Sequence, residues 1–349
     1  MNEMFATKIE EAREGVVTEG MDIMGTLVRS SYGENGSRTL DQAEKDKVKP
    51  HVLSDSDILG NAFVMILAGH ETTANSIHFS LIELAINPKS QRDLQDEVSN
   101  LFGNTPPETW EYDASMNALL GGMCGAVLNE QLRLMPPVIA IPKHVTRHSD
   151  QSITVDGKKY TFPAGSKVWF ATPNVHRNPR YWPTRPSTVS ERDDDLNDFK
   201  PERWLVTSKD AGDSGSENTS DDEFGGFTGQ DAHKKLFRPV RGSYIPFSDG
   251  PRSCLGRRLA QVKVMAVLAV IFQTCSIELA VDQWATDEEV AKMSKEERKT
   301  LYKKAQDEAR ALIRSATARI TLKLHPPGQT YIPVRVVRKG EERFVNIVE

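Results

Sequence analysis

Cys254 stands in Phe247-Ser248-Asp249-Gly250-Pro251-Arg252-Ser253-Cys254-Leu255-Gly256, a glycine-punctuated loop just ahead of an apolar run. Val262, Met265, Ala266, Ala269 and Val270 recur at helical spacing, so the sulfur sits before a helix N-terminus, whose free N–H groups favour a thiolate. A thiolate there is a candidate metal ligand. Gly250 and Gly256 let the backbone approach something flat and bulky with no Cβ in the way. Arg252, two residues before the sulfur, offers a fixed fork of donors suited to a carboxylate. Taken alone, the cysteine also reads as a small buried hydrophobe in a turn.

A second constellation is Ala68-Gly69-His70-Glu71-Thr72-Thr73. Small Ala68 and Gly69 leave room for a ligand against a helix, and Glu71 and Thr72 put an acid and a hydroxyl into an otherwise apolar wall. On an ordinary helix Thr72 would bond back to a carbonyl and Glu71 would face a surface lysine. A third is Glu130-Gln131-Leu132-Arg133, whose i,i+3 spacing lets Glu130 and Arg133 pair. A solvated pair of that kind contributes under ~1 kcal/mol.

Together these stretches resemble the cytochrome P450 family of haem-thiolate monooxygenases. FxxGxRxCxG matches its haem-binding signature, AGHETT its oxygen-activation segment, and ExxR with the downstream Pro201-Glu202-Arg203-Trp204 its ionic triad. The resemblance implies Cys254 as proximal ligand of haem b (iron protoporphyrin IX) and Arg252 on a propionate. It places Phe247, Gly250, Gly256, Ala68 and Gly69 around the cofactor and dioxygen. Glu71 and Thr72 would deliver protons during dioxygen activation, and Glu130, Arg133 and Arg203 would form a buried triad serving folding and haem retention. Removing one member of such a cluster costs about 3–5 kcal/mol.

Either Lys143 or His144 would reach the second propionate, and the spacing does not choose between them. Electrons would come from NADPH through NADPH–cytochrome P450 reductase, with cytochrome b5 as a further donor, at the cytosolic face of the endoplasmic reticulum membrane. Arg257, Arg258 and Lys263 are candidates for docking an acidic donor, or else a solvated helix face. The reaction implied is insertion of one oxygen atom into an apolar organic substrate. Two alternatives stand beside it: a relative that rearranges or dehydrates an oxygenated substrate, against which Glu71-Thr72 weighs, and a non-catalytic haem-binding remnant.

The elements that must hold these residues follow from periodicity. Met4, Phe5, Ile9, Ala12 and Val16, then Met21, Met24, Leu27 and Val28, predict amphipathic helix over residues 1 to 30. Residues 33 to 50 read as a linker. Ser54-Asp55-Ser56-Asp57 is a capping box opening a long run through Ile58, Leu59, Phe63, Ile66, Leu67, Ile77, Leu81 and Leu84 to Asn87-Pro88. At ~1.5 Å per residue, about 30 residues span roughly 45 Å. The polar residues at its centre favour a buried intradomain helix over a membrane span.

A polar helix is expected from Gln91 to Leu101, and one capped by Asp113 from Met116 to Leu134 despite Gly121, Gly122 and Gly125. Pro136 to Pro142 reads as a strand, and Asp156-Gly157 as a type I′ turn between Ser152–Val155 and Lys158–Phe162. Another strand runs from Lys167 to Ala171, and His176 reads as a structural residue. Residues 206–235, rich in Asp, Ser, Gly and Glu, read as an exposed acidic insertion. Two charged helices, Asp287 to Met293 and Glu296 to Ile313, are expected as a surface excursion, followed by strands at Ala318–Leu324 and Tyr331–Arg338 closing a small sheet.

The chain has 349 residues, 44 basic and 49 acidic, a net charge of −5 that predicts no nucleic-acid partner. Its three cysteines show no CxxC spacing, which argues against a disulfide scaffold or zinc cluster. Residues 1–349 are expected as a single, mainly α, partial cytochrome P450 haem domain with small β-sheets. The resemblance carries the further expectation of an N-terminally truncated member, a fragment or truncated product without the family's N-terminal helices and membrane anchor. Apolar patches beside the central helix and the cysteine helix are therefore expected to be exposed. The PERW wording and the acidic insertion resemble fungal microsomal members.

Overall fold

The computed structural model describes residues 2–15, 23–32, 53–205, 236–318, 321–324 and 331–348. The expected linker at 33–50 and acidic insertion at 206–235 lie outside the described residues. The chain forms two compact units, Met1–Glu71 and Thr72–Glu349.

In the first unit, α1 (Asn2–Arg13), α2 (Ile23–Tyr32) and the start of α3 (Asp55–Ile86) share a small core. Phe5, Ala12, Met24 and Val28 meet Ile58 and Ala62 there. The capping box opens α3 as its residues dictate: Asp57 N donates to Ser54 Oγ at 3.2 Å, and Ser54 N to Asp57 Oδ2 at 3.2 Å. Further along α3, Phe63, Val64, Ile66 and Leu67 are exposed, so apolar surface lies open beside the central helix as its sequence suggests. Among the described residues no helix is long and apolar enough to cross a membrane.

In the second unit, the remainder of α3 joins α4 (Pro88–Phe102), α5 (Tyr112–Leu120), α6 (Met123–Leu134) and α8 (Arg257–Thr274) around Phe79, Leu84, Leu94, Val127, Met265 and Phe272. α8 buries Val264, Met265, Leu268 and Ala269, but Val270, placed on its apolar face by spacing, points outward. The helix expected from Met116 to Leu134 is two helices. Gly121 and Gly122 end one and begin the next, and Glu97 of α4 enters the break, accepting from Met123 N and, at 3.1 Å, from Cys124 N. Gly122 therefore makes room for a capping carboxylate instead of merely lowering helix propensity. Glu111, not Asp113, is the N-cap of α5, and Asp113 lies in its first turn.

The sheets among the described residues are antiparallel pairs. β2 (Gln151–Val155) and β3 (Lys158–Phe162) turn at Asp156, φ 48°, and Gly157, φ 77°, the left-handed pair a type I′ turn requires. β1 (Ala140–His144) pairs with β4 (Lys167–Ala171), so the strand expected at 136–142 begins later and takes in Lys143 and His144. After β4 comes the single turn α7 (Thr172–Val175). β5 (Cys275–Leu279) pairs with β8 (Val334–Arg338), while β6 (Thr317–Ala318) pairs with β7 (Leu322–Lys323). The two late strands thus do not close a sheet together, and the partner of β8 went unread because β5 is buried along most of its length and shows no alternation.

The two charged helices, α9 (Asp287–Lys292) and α10 (Lys295–Arg314), each open on a capping box, Thr286 with Glu289 and Ser294 with Glu297. α10 is more than a surface excursion. It buries Tyr302, Ala305, Gln306 and Ala309 and supplies partners to the end of α3. Tyr302 Oη donates to Ala85 O at 2.7 Å and Gln306 Nε2 to Ile86 O at 2.6 Å, while Gln91 Nε2 donates to Leu84 O at 3.0 Å. These are last-turn carbonyls that the helix itself leaves unpaired.

Candidate haem-thiolate site

α6 ends by presenting Glu130 and Arg133 inward, and the turn Pro201–Trp204 brings up Arg203. Arg133 grips the Glu130 carboxylate through Nε and Nη2, both at 2.8 Å, and Arg203 Nε donates to Glu130 Oε1 at 2.9 Å. Lys200 N and Trp204 Nε1 add donors at 3.0 and 2.9 Å. Glu130 and Arg133 are fully buried. Burial alone would raise the Glu130 pKa, but Arg133 and then Arg203 outweigh it and hold the carboxyl at about 2. Arg133 spends its remaining donors on carbonyls, Leu196 O at 2.8 Å, His176 O at 3.3 Å and Asp198 O at 3.4 Å.

Aromatic rings wall this ion cluster. The Arg133 guanidinium lies 5.4 Å from the Trp182 ring centroid, Trp182 meets Trp204 edge-on at 5.4 Å, and Trp204 packs on Tyr244 at 4.9 Å. Two of these walls, Trp182 and Tyr244, together with His176, also hold the segment leading to the cysteine loop. Trp182 Nε1 donates to Ser243 O at 3.3 Å, Tyr244 Oη to Asn129 O at 3.2 Å, and Ile245 N to His176 Nε2 at 2.8 Å. Nothing in the spacing of Trp182 or Tyr244 points to this role. A tryptophan soon after His176-Arg177-Asn178-Pro179 was the one available signal.

Beyond Ile245 the chain turns sharply, with Ser248 at φ 63° and Gly250 at φ 75°. Asp249 Oδ1 accepts from Gly250 N at 2.6 Å, and Cys254 N donates to Phe247 O at 2.9 Å, tying Phe247 and Cys254 across the loop. Cys254 is exposed, whereas Cys124 is buried and Cys275 half-buried. Arg252 lies exposed on the loop's short turn, Leu255 is 86% exposed, and the Arg257 guanidinium covers the Phe247 ring at 5.6 Å. Gly250 needs its glycine for φ. Gly256 does not, and a Cβ there would meet nothing within 4 Å. No crowding among the described residues explains that glycine.

Ala68, Gly69 and Glu71 lie on the part of α3 belonging to the first unit, and Thr72, the next residue, opens the second. A Cβ at Gly69 would also meet nothing within 4 Å, although glycine inside a helix costs about 1 kcal/mol relative to alanine. Lys143 is half-buried with its ammonium 6.0 Å from the Phe170 ring, and His144 is exposed. Among the described residues no cluster of three or more His, Cys, Asp or Glu side chains could hold a metal ion. An exposed sulfur, a guanidinium two residues away and open space at Gly256 suit a flat, carboxylate-bearing group such as haem.

The family model for cytochrome P450 matches residues 3–303, and the chain belongs to the cytochrome P450 family. It is 30% identical over 246 residues to cytochrome P450 monooxygenase 124 of Postia placenta, covering 70% of this chain and 38% of that protein. It is 27% identical over 300 residues to cytochrome P450 monooxygenase AOL_s00215g278 of Arthrobotrys oligospora, covering 82% and 46%. To cytochrome P450 3A13 of Mus musculus it is 26% identical over 278 residues, covering 78% and 43%. The chain thus spans less than half the length of these relatives. The fold matches the crystal structure of the cytochrome P450DA heme domain with a TM-score of 0.58 at 21% identity, covering 97% of this chain and 53% of that one.

Proposed function

We propose that this chain carries the haem-binding portion of a haem-thiolate monooxygenase, with Cys254 as the sulfur ligand. The observation that carries this reading is the exposed Cys254 on a loop anchored to a buried ion cluster, with clear space at Gly256 beside it. Haem held there supplies activation of dioxygen, one atom going into an apolar organic substrate and the other to water.

The chain's own residues divide the remaining work. Arg252, exposed and bearing a planar fork of donors, binds a propionate. Phe247 fixes the loop backbone by accepting from Cys254 N. Ala68 and Gly69 leave space against α3, and Glu71 and Thr72 hold and pass protons. Glu130, Arg133 and Arg203 take no part in the chemistry and keep the loop's support rigid. Electrons come from NADPH through a reductase docking near Arg257, Arg258 and Lys263, at the cytosolic face of the endoplasmic reticulum.

The test is the difference spectrum of the reduced, carbon-monoxide-bound protein. A red-shifted Soret band reports thiolate ligation; Cys254→Ala should abolish it while Cys124→Ala and Cys275→Ala keep it. A band lost with Cys275→Ala instead would move the ligand elsewhere. NADPH-dependent oxygen use with an added reductase then separates a monooxygenase from a haem protein without that activity.

A further inference from the structure

His176 is fully buried, and both nitrogens of its ring are engaged. Nε2 lies 2.8 Å from Ile245 N, an amide that can only donate, so Nε2 carries the lone pair. Nδ1 must then carry the proton, and it faces Arg133 O at 3.2 Å. The ring is therefore neutral and in one tautomer. Burial, with Arg133 and Arg177 nearby, pulls its pKa down to about 3. On one side it touches the backbone of the arginine that grips Glu130, which returns a bond from Nη1 to His176 O at 3.3 Å. On the other it holds the last backbone amide before Pro246 and Phe247. From there Ser248 N reaches Ile245 O at 3.1 Å and Cys254 N reaches Phe247 O at 2.9 Å.

We infer that His176 is a positioning residue that transmits the fixed geometry of the Glu130–Arg133 cluster to the Cys254 loop through the Ile245 amide. The inference rests on the reading of Cys254 as the haem ligand. A protonated ring, or one without a nitrogen at Nε2, would offer Ile245 N no acceptor, and the loop would lose its attachment to α6 at this point. No other acceptor for that amide is present among the described residues.

Two variants separate the acceptor from the ring's bulk. His176→Phe keeps a planar ring and removes both nitrogens, whereas His176→Gln can place Oε1 near the Nε2 position and keep an acceptor. In the haem-free chain, exchange of the Ile245 amide should quicken about tenfold in His176→Phe, the effect of one lost hydrogen bond, and stay near the parent rate in His176→Gln. After haem loading, His176→Phe should lose most of the red-shifted carbon-monoxide band and His176→Gln should retain it. Ile245 exchange unchanged in His176→Phe, or His176→Gln no better than His176→Phe in both measurements, overturns the inference. If His176→Phe does not fold, His176→Gln decides: parent-like protection of Ile245 supports it and loss of protection overturns it. A parent protein without the red-shifted band would defeat the haem-thiolate reading while leaving the exchange comparison intact.

Discussion

Trp204 donates its indole N–H to Glu130 Oε2 at 2.9 Å, so the carboxylate that balances two arginines also binds a fully buried ring. Glu130 depends on charge, and Trp204 adds one neutral donor. Glu130→Ala would strand Arg133 and Arg203 and is expected to lower stability by about 3–5 kcal/mol. Trp204→Leu would remove the donor and much of the wall over the cluster, for about 3–5 kcal/mol through lost packing. Urea midpoints would measure both, and the double variant should lose less than the sum because the sites touch. Strict additivity would show that the ring packs without supporting the ion cluster.

Two buried glutamates give the stability profile opposite slopes. Burial pushes the Glu83 pKa up to about 7, with Arg310 and Asn87 only partly offsetting it. Between the ordinary value of 4.5 and about 7 the native state binds more protons than the unfolded chain, so stability falls as pH rises through that window and stays lower above it. The difference is on the order of 3 kcal/mol. Glu130, held at about 2, contributes stability present above its ordinary value of 4.5 and lost as pH falls toward 2. Urea unfolding at pH 5 and pH 8 should show the parent weaker at pH 8, and Glu83→Gln should remove most of that difference. A slope unaltered by Glu83→Gln would place the titration on another group.

How much of this was legible depends on how far apart in sequence the partners lie. The Ser54–Asp57 box and the Asp156-Gly157 turn are short patterns whose meaning lies in local backbone geometry, and each could be placed from its own residues, whereas the cysteine loop and the Ala68–Thr73 stretch were read through their resemblance to a family. The grip of Arg133 on Glu130 was likewise written into an i,i+3 spacing. What the sequence hid is reach across the chain. His176 meets Ile245 69 positions on, and Gln91 meets Ile277 186 positions on. Neither histidine nor glutamine carries a periodicity that names its partner. The break at Gly121-Gly122 was missed for the same reason, since the carboxylate that makes it comes from Glu97.

That break supports a coupling experiment. A Cβ at Gly122 would lie 2.1 Å from Glu97 Oε2, so Gly122→Ala must push the carboxylate off the amides of Met123 and Cys124. The Gly122 backbone is extended, φ −121° and ψ −156°, so alanine itself is not strained there. Gly122→Ala should therefore cost about 1–3 kcal/mol in the parent and close to nothing once Glu97→Ala has removed the carboxylate. Gly125→Ala differs, because its Cβ would meet Leu120 O, a backbone atom, at 2.2 Å. It should destabilise by about 1–3 kcal/mol with or without Glu97. Equal coupling of both glycines to Glu97 in thermal unfolding would contradict this assignment.

α10 lends itself to a sharper test, because one hydroxyl serves two elements. Tyr302 Oη accepts from Leu279 N of β5 at 3.0 Å and donates to Ala85 O near the end of α3 at 2.7 Å. Burial pushes the phenol's pKa upward, so the hydroxyl keeps its proton for Ala85. Tyr302→Phe keeps the ring and its stacking on Phe344 but strands a buried amide and a buried carbonyl together, an expected loss of about 1–3 kcal/mol. Gln306→Leu should add a smaller loss by freeing Ile86 O. Local reporting matters more than the total: amide exchange at Leu279 should quicken in Tyr302→Phe and stay at the parent rate in Gln306→Leu. Equal protection of Leu279 in all three proteins would mean that α10 covers the end of α3 without holding β5 to it.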